Sequence, residues 1–143
     1  MINLRKVVLM AGIVLMAVTV SCSKKSEGPD KTKPTFVVVK PTNGQSYMST
    51  QSIAFEATFT DNKALGTATI TLSNLKSASG IEDPWTPAPT EITLIGKSQT
   101  VRQNLFGGPI PVDIWTGGYV ITVALRDAAG NEAVSQDFQI TID

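Results

Sequence analysis

One stretch near the C-terminus constrains the fold more than any other. Tyr119, Ile121, Val123 and Leu125 alternate with Val120, Thr122, Ala124 and Arg126. Phe138, Ile140 and Ile142 alternate in the same way with Asp137, Gln139 and Thr141. A period of two gives each run one apolar face and predicts two strands. Asp127, Gly130 and Asn131 lie between the runs. Asp and Asn accept backbone N–H bonds locally, and Gly tolerates positive φ, so this is turn chemistry. The whole reads as a β-hairpin. A lone hairpin is marginal in water, so further strands must cover its apolar face.

Those strands are visible upstream. Thr35 to Lys40 is rich in β-branched residues and is bracketed by Pro34 and Pro41, as strand margins often are. Pro41-Thr42-Asn43-Gly44 reads as a turn. Ile53, Phe55, Ala57 and Phe59 alternate with Ala54, Glu56, Thr58 and Thr60, until Asp61 and Asn62 break the pattern. Ala68, Ile70 and Leu72 alternate with Thr67, Thr69 and Thr71. Residues 92–95 and 100–105 are short strand candidates. Ile110, Val112 and Ile114 alternate too, but Pro109 and Pro111 predict an edge or an irregular strand there. No window has a helical period. Seven to eight short strands separated by turn signals predict an all-β sandwich or barrel. Tyr119, just after Gly118 at the start of its strand, resembles the tyrosine corner of Greek-key sandwiches, whose hydroxyl bonds to upstream backbone. As a plain core aromatic it would suit a sandwich equally. The expected fold is an immunoglobulin-like Greek-key β-sandwich.

The N-terminus says where such a domain would sit. Arg5 and Lys6 precede residues 7–20, which carry no charge. A basic segment before an apolar run of that length is an export signal, and the run is short for a bilayer span of roughly 20 residues. Thr19-Val20-Ser21-Cys22 follows and resembles a bacterial lipobox, with Thr19 in place of the usual leucine. By that resemblance Cys22 becomes the first mature residue and carries fatty acyl (palmitate) chains, more than one of which is needed for stable anchoring. The alternative is an ordinary secretory signal with an incidental cysteine. The expected organisation is a lipoprotein signal peptide over residues 1–21, the lipidated Cys22 with a flexible polar tether over 22–33, and a sandwich domain over 34–143. Cys22 is the only cysteine, so an acylated chain has no disulfide and rests on its core alone.

Composition excludes several functions. The chain has 12 basic and 12 acidic residues; loss of Arg5 and Lys6 leaves ten against 12. A net charge of −2 with no basic stripe is no nucleic-acid surface. Histidine is absent and no free thiol remains, which excludes Ser–His–Asp and Cys–His sites and His-ligated zinc. Glu82 and Asp83 are adjacent carboxylates, but acid/base pairs usually face each other across a gap from separate strands. The chain is expected not to be an enzyme.

Two ends of the sandwich offer binding candidates. Strand counting brings the Asp61-Asn62 loop and the Asp127–Asn131 turn to the end where the first strand starts, beside Asp30 of the tether. Asp61, Asn62, Asp127 and Asn131 are hard oxygen ligands that suit Ca²⁺, which takes six to eight of them. They are equally turn caps for their own backbone, and both readings stand. The opposite end gathers the loop 75–89, from Leu75 to Pro89, and the Gly117-Gly118 corner. Trp85 lies between prolines in that loop, where it would either stack on a ligand or fold back under its own loop.

The lipobox, the polar tether, the run Pro34 to Pro41, the run Phe59-Thr60-Asp61-Asn62-Lys63-Ala64-Leu65, and Gly117-Gly118-Tyr119 followed by Arg126-Asp127-Ala128-Ala129-Gly130-Asn131-Glu132 together resemble small Gram-negative (Bacteroides-type) surface lipoproteins. These carry a single immunoglobulin-like or cadherin-like domain of unknown function. Many have histidines in the long central loop; this chain has none, so a metal role tied to them does not carry over. The resemblance implies a fold and a cell-envelope location, lipid-anchored, with the outer membrane as the expected site and no established activity. The expected function is a non-catalytic binding or adhesion module for a protein or glycan. The alternative is a structural accessory subunit of a larger envelope complex, with or without structural calcium.

Overall fold

The computed structural model describes residues 28–75 and 83–143. The signal segment, Cys22 and Glu82 lie outside the described residues. Among the described residues there are eight strands and no helix: β1 (Thr35–Lys40), β2 (Gln45–Tyr47), β3 (Ala54–Thr60), β4 (Leu65–Asn74), β5 (Thr90–Thr93), β6 (Ser98–Asn104), β7 (Gly117–Asp127) and β8 (Gln136–Ile142). One sheet has the order β1-β3-β6, the other β2-β8-β7-β4-β5. The chain crosses between sheets after β1, β2, β3, β5 and β6, so sequential strands are split in the Greek-key manner, and the expected sandwich is present.

The alternating patterns decide which face of each strand goes in. Phe36, Phe55, Ala57, Phe59 and Val101 from the first sheet meet Ala68, Ile70, Tyr119, Ile121, Val123, Leu125, Ile140 and Ile142 from the second in one core. The β7–β8 hairpin is in register from Gly117↔Ile142 to Val123↔Gln136. Every residue of the apolar series Tyr119 to Leu125 is buried.

Two stretches depart from expectation. β2 has no sequence signal, because three residues are too few for a period; only Tyr47 of the three is buried, and the strand pairs parallel to β8. A cis Lys40–Pro41 bond stands where the chain leaves one sheet for the other. The alternation at 110–114 forms no strand. Pro109 and Pro111 flank Ile110, which instead exchanges backbone bonds with the turn before β3: Thr50 N–H to Ile110 O at 2.8 Å, and Ile110 N–H to Gln51 O at 2.8 Å. Ile110 and Ile114 still reach the core while Val112 stays exposed.

Strand direction sorts the loops. The start of β1, the β3–β4 loop, the β5–β6 turn and the β7–β8 turn lie at one end, together with residues 28–33. The loops before β3, after β4 and after β6 lie at the other end.

Candidate functional site

At the tether end the sequence-predicted carboxylates converge. Ligand oxygens of Asp30, Asp61 and Asp127 all lie within 4.8 Å of one another. Asp61 comes from the β3–β4 loop, Asp127 ends β7, and Asp30 comes from the tether, so three separate segments meet. Gly66 makes the approach of the first two feasible. A β-carbon there would stand 2.7 Å from the Arg126 carbonyl oxygen and 2.7 Å from the Asp127 backbone. The β4–β7 register shifts between Leu65 and Thr67 at the same point.

Each loop carboxylate is also a turn cap. Asp61 Oδ1 accepts the N–H groups of Lys63 at 2.8 Å and Ala64 at 2.6 Å. Asp61 Oδ2 is buried and accepts no hydrogen bond. Asp127 is buried at 3% exposure. Its Oδ1 accepts the Asn131 backbone N–H at 2.8 Å and its Oδ2 the Asn131 side-chain amide at 2.7 Å. Burial pushes the Asp127 pKa up, but the Asn131 side chain and the N–H groups of Asn131, Ala129 and Gly130 outweigh it and hold the group below the usual aspartate value.

Asn62 and Asn131 stand beside these carboxylates and turn their amide nitrogens toward them. Asn62 turns its amide nitrogen to Asp30 Oδ1 at 3.3 Å, and Asn131 turns its own to the Asp30 carbonyl at 3.2 Å as well as to Asp127. Both hold the tether. Lys63 Nζ adds a bond to the Gly28 carbonyl at 3.0 Å. The only sequence signal for this role of Lys63 is its place directly after Asn62 in the β3–β4 loop.

The donor set is oxygen only. Two ligands on opposite sides of a Ca²⁺ ion at about 2.4 Å are roughly 4.8 Å apart, so three carboxylates within that spread are close enough to share one such ion, and they are equally the turn caps described above. The set lacks the nitrogen and sulfur donors that zinc favours.

At the far end, Trp85 is half-buried. It meets Phe106 edge-on at 5.6 Å, and its backbone N–H donates to the Tyr119 hydroxyl at 3.1 Å. Of the loop 75–89, residues 76–82 lie outside the described residues. Trp115, which no alternating pattern marks, packs beside Tyr119 at 5.7 Å and donates its N–H to the Asp83 carbonyl at 2.9 Å. Both tryptophans of the chain therefore stand at this end. Asp83 is exposed.

The outer face of the five-stranded sheet holds a hollow of about 510 Å³ whose lining mixes polar residues (Thr67, Thr69, Arg126, Glu132 and Ser135) with apolar ones (Ala124, Leu125 and Ala133).

Residues 20–143 match the family model described as a domain of unknown function, DUF4625. No curated protein matches the chain.

Proposed function

This chain belongs to the DUF4625 family, and we propose that it is a non-catalytic, lipid-anchored cell-envelope module with an immunoglobulin-like domain that is fixed to its tether by calcium and presents its opposite end to a protein or glycan. The observation that carries this reading is the meeting of Asp30, from the tether, with Asp61 and Asp127. Three like charges so close repel one another, and a buried carboxylate oxygen without a partner is costly. A divalent cation would offset both. Asp61, Asp127 and Asp30 would hold the ion, which would supply charge neutralisation and cross-link the tether to two loops. Asn62 and Asn131 would keep the tether docked in either state.

The anchor reading rests on Arg5, Lys6, the apolar run and Cys22. Its supporting geometry is that the tether meets the domain at one end, which leaves the Trp85 and Trp115 end free to face a partner.

The deciding measurement is thermal unfolding in EDTA and in millimolar Ca²⁺. Calcium is expected to raise Tm, and Asp30→Asn, which keeps the hydrogen-bonding shape but removes a charge, is expected to abolish most of the rise. Equal Tm values with and without Ca²⁺ would leave the carboxylates as turn caps. Cys22→Ser is expected to release the protein from membranes; retention would sink the anchor. Ligand binding at the far end is read by tryptophan fluorescence against glycan and matrix-protein panels.

A further inference from the structure

Four strands end the two sheets: β1 and β6 in one, β2 and β5 in the other. An open edge presents unpaired N–H and C=O groups that template another strand, and proteins blunt edges with short strands, prolines, bulges or covering groups. β2 and β5 are three and four residues long. β1 is bracketed by Pro34 and Pro41, shifts register between Val38 and Lys40, and has Gln136 Nε2 on its Phe36 carbonyl at 3.4 Å. β6 carries none of these devices. It runs seven residues, Ser98 to Asn104, in unbroken register with β3 and without proline. Its one charge, Arg102, is paired with Glu56 of β3 at 2.7 Å.

The phase of the ladder identifies the free groups. Leu105 N–H donates to the Ile53 carbonyl at 2.9 Å, and Asp61 N–H to the Lys97 carbonyl at 2.8 Å. Both pairs continue the register in which Ala57 faces Val101. Hydrogen-bonded pairs alternate along an antiparallel ladder. Gln99, Val101 and Gln103 therefore turn their backbone groups toward β3, and Ser98, Thr100, Arg102 and Asn104 turn theirs outward. Among the described residues, none of those outward groups has a backbone partner.

We propose that this edge pairs with the same edge of a second copy, antiparallel about a two-fold axis at Val101. In that register Thr100 faces Arg102 of the second copy and Ser98 faces Asn104, so every outward group on both strands is bonded. Val101 meets its own counterpart at a non-hydrogen-bonded position, where side chains approach most closely. Gln99 faces Gln103, and no like charges oppose each other. Sliding one way puts Arg102 opposite Arg102. Sliding the other way leaves Asn104 overhanging the β5–β6 turn. The strand is thus self-complementary in one register, as a closed two-fold interface requires.

The axis is perpendicular to β6, so the two tether ends point in opposite directions. Copies anchored through Cys22 would then bridge two facing membranes rather than pair within one. This consequence rests on the lipid-anchor reading above; the pairing does not.

The chain from Ser23 to Asp143 contains the whole core, Phe36 to Ile142, and is the protein to test. Sedimentation equilibrium from micromolar to millimolar is expected to show monomer and dimer. Thr100→Pro removes one outward N–H per copy and no backbone bond to β3, and is expected to weaken the dimer about tenfold or more; Thr100→Val, which loses the same 2.9 Å side-chain bond to Thr58 of β3 but keeps the N–H, is the control. Val101→Cys supplies the only thiol of that chain. It is expected to form an intermolecular disulfide under mild oxidation, whereas Gln139→Cys on the other sheet is not. A monomer at millimolar concentration with no Val101→Cys cross-link overturns the pairing, and this holds even if Thr100→Pro fails to fold. Acylated chain on phosphatidylcholine vesicles is expected to aggregate them, and Thr100→Pro to prevent it. A dimer in solution without vesicle aggregation overturns the bridging and leaves the pairing.

Discussion

The Tyr119 hydroxyl donates to the Trp115 carbonyl, four residues upstream, at 2.7 Å. The same oxygen accepts the Trp85 N–H, so one phenol ties the loop after β6 and the loop before β5 to the start of β7. Gly117 makes the corner possible. Its φ is 144°, and a β-carbon there would stand 2.4 Å from the Trp115 ring.

Tyr119→Phe keeps the ring and removes the hydroxyl. The Trp115 carbonyl and the Trp85 N–H would both lose a partner in a partly buried site. An orphaned buried polar group costs about 1–3 kcal/mol, and a loss in that range is expected from urea unfolding with an unchanged m-value. A loss below about 0.5 kcal/mol would mean that water replaces the hydroxyl.

Gly66→Ala places a methyl against the Arg126 and Asp127 backbone, 2.7 Å away. No flexible side chain can yield there, so β4 and β7 must separate. Such overpacking typically costs about 1–3 kcal/mol. The substitution is also expected to move the β3–β4 loop away from Asp127 and to weaken any calcium-dependent rise in Tm by more than Gly44→Ala does. Gly44, with φ 82°, has open space around it and tests strain alone.

These two sites show how far the sequence could be read. Alternation gave β3, β4, β7 and β8 because each has one buried and one open face, and Phe55, Phe59, Ile121 and Ile140 went inward as the period required. Topology then placed Asp61 and Asp127 together, since strand direction alone fixes which loops share an end. β2 was illegible because a three-residue strand has no period. The roles of Asn62 and Asn131 were illegible because an amide offers an oxygen and a nitrogen, and only the neighbours decide which one faces the carboxylates. Trp115 was hidden because its burial depends on Gly117, whose backbone no side-chain pattern reports.

Phe55→Ala tests the core directly. Phe55 is 1% exposed and its ring stands 6.4 Å from Phe59, which stands 5.9 Å from Phe36. Truncating a buried aromatic costs about 3–5 kcal/mol, a severe loss for a domain with roughly 5–15 kcal/mol in all. Chemical unfolding is expected to show it. A cost under about 1 kcal/mol would contradict the inward packing of β3.

The acid limb of the stability curve should carry a signature of Asp127. Its folded pKa lies below the ordinary aspartate value, because bonds from Asn131, Ala129 and Gly130 outweigh the upward push of burial. Between the two values the unfolded chain binds more protons than the folded one, so stability rises with pH there. The contribution is complete above the unfolded aspartate value, near about pH 4, and is lost as pH falls through the folded one. Glu56 acts in the same direction, lowered first by its hydrogen bond from Arg102, so Glu56→Gln is the background in which to look. In EDTA, Asp127→Asn is expected to lower the denaturation midpoint at pH 7 and to do so progressively less as the solution is acidified below about pH 4. A difference that stays constant down to about pH 2 would show that the substitution acts by disturbing the turn and not by removing a titrating charge.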